Sequence, residues 1–128
     1  MAQRAPHTPR AKAEVHQVAK AVTWAERELE LTDVEIGRAL GGASTRTVAR
    51  WRERAQRPHP PAVVAAESLL TLSHALQVVF GNDRERMQAW LHEPVPAFRG
   101  RTPLRLIAGG EAAKIVTLLA NIDAGVFA

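Results

Sequence analysis

The 128-residue chain contains no cysteine, so it forms no disulfide and offers no thiolate nucleophile, which fits a reducing compartment. No apolar run approaches the ~18 residues that span a bilayer, and the opening M-A-Q-R-A-P-H-T-P-R lacks the apolar stretch of a secretory signal. Both absences predict a soluble, cytoplasmic protein with no membrane partner. No segment alternates apolar and polar residues as a half-buried strand would, so no glycine-rich loop follows a strand to cradle phosphate. Acidic residues stand singly or in capping positions, and no pair suggests acid–base work. The five histidines, His7, His16, His59, His74 and His92, lack metal-ligand spacing. His16 and His92 are expected on exposed helix positions and His74 at a hydrogen-bonded core edge. The expectation is a non-enzyme with no catalytic residue, cofactor or metal.

What is present is helix. A 46% hydrophobic and 23% charged composition is ordinary for a folded protein, and this length makes one domain or two very small ones sharing a core. The net charge of +4 is unevenly placed: residues 1–60 hold 11 Lys/Arg against 7 Asp/Glu, residues 61–128 hold 6 against 6. Arg46, Arg50, Arg52, Arg54 and Arg57 fall within residues 44–57 beside a single acid, Glu53. Such a local excess suits a polyanion, although a solvated helix face reads the same way.

Residues 1–10, with two prolines, read as a flexible arm. From Ala11 to Leu29, Val15, Val18, Val22, Ala25 and Leu29 recur at helical steps. Thr32 with Glu35 forms a capping box for a short second helix that Gly41-Gly42 ends. Ser44 caps a third helix, Thr45 to Arg54, with Val48 and Trp51 inward. Residues 11–57 are thus a helix-turn-helix module and residues 58–61, Pro-His-Pro-Pro, a linker, because proline is excluded from helix interiors. Residues 62–128 form a second, partner-binding and dimerising unit. Its longest helix, Ala62 to Phe80, places Ala62, Ala65, Leu69, Leu72, Leu76 and Val79 on one stripe, with Val63, Leu70 and Val78 outside it. That much apolar circumference predicts a homodimer. Asn82 with Glu85 is expected to cap a helix over Asp83 to His92 that buries Met87, Trp90 and Leu91. Glu93 to Arg101 is an extended loop. Thr102-Pro103 starts another helix, and Glu111 to Ala124 is the last, with Ile115, Leu118, Leu119 and Ile122 on its inner face. The fold class is all-α. Trp24, Trp51 and Trp90 sit at core spacings.

The segment from Ile36 to Trp51 supplies a small residue at a helix crossing (Gly37), a turn glycine (Gly41) and apolar anchors (Val48, Trp51), with a turn one residue longer than usual. Its second helix displays Ser44, Thr45, Arg46, Thr47 and Arg50, hydroxyls for phosphates and arginines for guanine edges, as candidate DNA-binding residues. A purely packing role is the alternative. Downstream come Trp90-Leu91, Pro94 to Leu104 with its F-R-G-R-T-P-L, and Gly125-Val126-Phe127.

Taken in order, S-T-R-T-V-A-R-W, W-L, P-x-x-x-F-R-G-R-T-P-L and the terminal G-V-F resemble the Xre/MbcA/ParS antitoxin family, most of all its mycobacterial MbcA type, over roughly residues 25 to 128. The resemblance implies an antitoxin: a DNA-binding module fused to a domain that binds a RES-domain toxin and shields its NAD pocket. Arg99, Arg101, Ile122, Gly125, Val126, Phe127 and Ala128 are the candidate toxin-binding residues. Arg99 and Arg101 either contact that partner or cap helix carbonyls. An apolar tip ending in the Ala128 carboxylate is a crude match to a pocket for a ring and a diphosphate. Operator DNA is the second expected partner, and a stand-alone helix-turn-helix regulator or a structural adaptor the other readings.

Overall fold

Thr8 opens the first helix: its Oγ1 accepts the Ala11 amide at 3.0 Å, and Pro9 takes the first helical position, where a missing donor costs nothing. Helix α1 therefore spans Pro9–Glu28, and Pro9 and Arg10, expected in the arm, are helical. The computed structural model describes residues 8–123 of the chain.

Among the described residues the protein is all-α. After α1 come α2 (Asp33–Ala39), α3 (Thr45–Arg52), α4 (Pro60–Phe80), α5 (Arg84–Leu91), a 3₁₀ turn (Pro96–Phe98), α6 (Pro103–Ala108) and α7 (Ala112–Asp123). Side-chain caps set most of these starts. Thr32 and Glu35 form the expected reciprocal box, and Ser44 Oγ accepts the Thr47 amide at 3.1 Å. Thr102 Oγ1 accepts the Arg105 amide at 3.1 Å. Helix α3 stops two residues before the expected Arg54, which has a left-handed φ of 58° and donates its amide to Trp51.

Two expectations shift. Pro58 is buried, the His59 ring accepts the Ala62 amide through Nδ1 at 3.1 Å, and Pro60 and Pro61 are the first turn of α4. Residues 58–61 are thus the capped entry to a helix rather than a spacer. Before α5, Asp83 rather than Asn82 is the cap, its Oδ1 accepting the Arg86 amide at 3.0 Å. A carboxylate one residue later holds the helix dipole better than the amide does.

The buried side chains form one contiguous cluster: Val22 of α1, Ile36 of α2, Trp51 of α3, Leu69, Leu72 and Leu76 of α4, Leu91 of α5, Ile107 of α6, Ile115 and Leu119 of α7. Helix α4 is central, packing on α1 along one side and α7 along the other. At 21 residues, with an 18-residue window of mean hydropathy 1.5, it is long and apolar enough to cross a bilayer by length and composition alone, yet Glu67, Ser68, Thr71, Ser73, His74 and Gln77 interrupt it, so it holds no apolar run of the kind the sequence was searched for. Its inward stripe is Ala62, Ala66, Leu69, Leu72 and Leu76, with Ala65 and Val79 only half-buried. Val64 and Val78 stand 63% and 67% exposed. His74, expected at a bonded core edge, is exposed as well.

Candidate functional site

The α2–α3 pair is closed by a glycine contact. The Gly37 carbonyl accepts the amides of both Gly42 and Ala43 at 2.9 Å, bringing the turn back onto α2. A β-carbon at Gly37 would collide with the Ala43 carbonyl oxygen. Gly41 and Gly42 have φ of 90° and 89°, so the lengthened turn reverses direction through two consecutive left-handed residues. Behind it, Arg52 donates from Nη2 to Asp33 of α2 and lies 3.3 Å from Glu26 of α1, tying three helices together. The hydrogen bond to Asp33, then the charges of Asp33, Glu26 and Glu53, hold the Arg52 guanidinium above its usual pKa.

The cluster of five arginines therefore divides. Arg52 is half-buried and paired, Arg57 pairs with Glu14 at 3.5 Å, and Arg54 Nη2 meets His16 Nδ1 at 3.3 Å. Arg46 and Arg50 are exposed and form no ion pair among the described residues. They share the outer face of α3 with the exposed Thr45, opposite the buried Val48 and Trp51. Ser44 and Thr47 are partly committed: besides capping, the Ser44 hydroxyl bonds Thr47 Oγ1 at 3.0 Å. What this face offers an anion is two unpaired guanidinia beside a helix N-terminus.

The loop expected to be extended is instead a closed hairpin-like turn. Val95 bridges Arg101, the Gly100 amide returns to the Val95 carbonyl at 3.0 Å, and Arg99 takes a left-handed φ of 59°. Proline at 96 starts a 3₁₀ turn there rather than an extended run. Arg101 is held within the fold: Nε donates to the Phe98 carbonyl at 3.1 Å and Nη1 lies 3.3 Å from Glu111. Lys114 binds the same carboxylate at 2.7 Å, and that bond, followed by the charges of Lys114 and Arg101, holds Glu111 below the usual carboxylate range. Arg99 is exposed at the loop tip, and Ile122 is half-buried on α7. Gly125, Val126, Phe127 and Ala128 lie outside the described residues. A shallow groove between α4 and α7, walled by Ser68, Thr71, Ala113 and Val116, had no sequence signal, because neither helix alone reveals which faces meet.

Against known proteins, residues 75–125 match the antitoxin Xre/MbcA/ParS C-terminal toxin-binding domain. Residues 75–125 are thus an Xre/MbcA/ParS-type toxin-binding domain. A chain of the crystal structure of the M. tuberculosis MbcT-MbcA toxin-antitoxin complex is similar throughout: 28% identity over 87% of this chain and 97% of that one, with a TM-score of 0.60. No curated protein matches. The Xre/MbcA/ParS block takes in the end of α4, α5, the Val95–Arg101 loop, α6 and α7, the segment in which the sequence resemblance was densest. Antitoxins of this type are regulatory proteins rather than enzymes.

Proposed function

We propose that this antitoxin neutralises a RES-domain toxin that degrades NAD or transfers ADP-ribose from it, by covering the toxin's active site with its C-terminal segment. It also represses its own operon through α3, with α2 and α3 acting as a helix-turn-helix. The carrying observation is the toxin-binding domain match over residues 75–125, together with a full-length likeness to a chain crystallised in a toxin–antitoxin complex. Arg99 and the exposed Arg101 in the loop, Ile122 on α7 and the residues from Gly125 to Ala128 form the proposed contact set. The NAD belongs to the toxin; this chain needs no cofactor.

Val126 and Phe127 give that segment an apolar side suited to a slot for a planar ring. Burying Phe127 contributes about 1.5–3 kcal/mol, a large share for one inhibitor residue. Titrating the chain into a RES-domain toxin, with NAD consumption as the readout, should give stoichiometric inhibition, and Phe127→Ala should need at least ~10-fold more protein. Equal inhibition by Phe127→Ala would move the blocking contact elsewhere on the domain.

On the DNA side, Arg46→Ala and Arg50→Ala should each weaken binding to the chain's own upstream DNA. The cost is about 1–3 kcal/mol for a bidentate base contact, whereas a phosphate contact would flatten the salt dependence by about one unit of slope. Inhibition of the toxin should be unaffected. Gel-shift titration at several salt concentrations checks both.

Assembly follows from the uncovered side of α4. Exposed Val64 and Val78 flank a helix whose other faces are packed, and a two-fold dimer through them would present two copies of α3 to a palindromic site. Light scattering should give a dimer mass at micromolar concentration, and Val64→Asp with Val78→Asp a monomer that still folds.

A further inference from the structure

Helix α1 carries a second basic surface that the α3 reading does not use. Lys12, His16, Lys20 and Arg27 are all exposed, and at 3.6 residues per turn they fall within roughly 80° of arc on the solvent side. Lys12, Lys20 and Arg27 form no ion pair among the described residues. The acids of α1 are already taken: Glu14 by Arg57, Glu26 by Arg52, and Glu28 by Arg84 at 2.9 Å. The stripe thus keeps an uncompensated positive charge.

It is also continuous with α3. Arg54, just past the end of α3, reaches His16 at 3.3 Å, and a cavity of about 370 Å³ runs between the two elements, walled by His16, Lys20, Trp24, Arg27 and Arg54. Arg54, Lys20 and Arg27 thus line one exposed surface where the end of α3 meets α1, with Arg46 and Arg50 earlier on α3 and the exposed Glu53 the one acid in that stretch of chain.

We propose that this α1 stripe is a sequence-independent contact for the DNA phosphate backbone, flanking the segment that α3 reads. The inference rests on the reading of α3 as a DNA-contacting helix and extends its footprint. A row of unpaired lysine and arginine suits a phosphate chain and carries no sequence preference. Its contribution is electrostatic, released with counterions, and most visible at low salt.

The test uses the full chain, its own upstream duplex and a random duplex of equal length. Lys12→Gln/Lys20→Gln/Arg27→Gln, folded as judged by thermal melting, should lose affinity on both duplexes. Its log K against log salt should be shallower by roughly 2–3, near 0.9 for each lost phosphate contact. Arg46→Ala/Arg50→Ala, by contrast, should lose most on the upstream duplex. An unchanged slope and affinity for the triple variant on both duplexes would overturn the stripe whatever α3 does. Unchanged binding by the α3 variant alongside a weakened triple variant would overturn the α3 reading and leave the stripe as a general DNA contact. If the triple variant instead loses capture of the toxin and keeps DNA affinity, the surface belongs to a protein partner and the proposal fails.

Discussion

Trp51→Ala should lower the stability of the folded chain by about 3–5 kcal/mol, the range for truncating a fully buried large aromatic. Trp51 is 1% exposed and packs where α1, α3 and the entry to α4 meet, its ring edge-on to His59 at a centroid distance of 5.4 Å. Truncation opens a cavity at that junction and also removes the wall on which the His59 cap rests. The indole nitrogen is buried with no acceptor among the described residues, so Trp51→Phe gives up area without orphaning a partner there. It should cost only about 1–2 kcal/mol. Urea unfolding followed by circular dichroism separates the two: a low midpoint for alanine and an intermediate one for phenylalanine. Equal midpoints for alanine and wild type would mean that Trp51 does not lock these helices.

The second large effect concerns Gly37, where two principles predict opposite signs. Within an exposed helix, glycine to alanine stabilises by about 1 kcal/mol through backbone entropy. Here the new methyl group would meet the Ala43 carbonyl oxygen, a backbone atom fixed by the turn, with Val48 at 3.5 Å on the same side. Overpacking against backbone should win, so Gly37→Ala is expected to destabilise by about 2–3 kcal/mol. The melting temperature should drop by on the order of 10 °C. Gly42→Ala is the matched control: its φ of 89° strains any side chain, yet no atom lies within 4 Å of the new methyl. It should cost about 1–2 kcal/mol from conformation alone. A rise in melting temperature for Gly37→Ala would show that the turn stands off from α2.

The helices and most of their caps were legible because their signals are local. Thr32 with Glu35, Ser44, and Thr102 before Pro103 each place an oxygen within three residues of the amide it accepts, and each is found capping. Proline misled in both directions for one reason: it is barred from helix interiors but favoured in the first turn. Pro60 and Pro61 thus begin α4 where a linker was expected, and Pro9 begins α1 inside the expected arm. Pairwise facts were not legible. That Arg52 is paired while Arg46 and Arg50 have no ion-pair partner among the described residues depends on Asp33 and Glu26, which are distant in sequence. The same holds for Arg101, whose partners are the Phe98 carbonyl and Glu111 of a separate element. The charge stripe of α1 was hidden because a helical count of cations says nothing about which acids are already paired.

The central claim, that this chain neutralises a RES-domain toxin, is tested most directly by co-expression. Where a RES-domain gene adjoins the gene for this chain, its product is induced in cells with and without the chain, and growth is followed while tagged toxin is purified. The account predicts arrest with the toxin alone, restored growth with the pair, and stoichiometric copurification of this chain. Continued arrest in the presence of abundant, folded chain, with none of it on the toxin, would contradict the account and leave a helix-turn-helix regulator without a toxin partner.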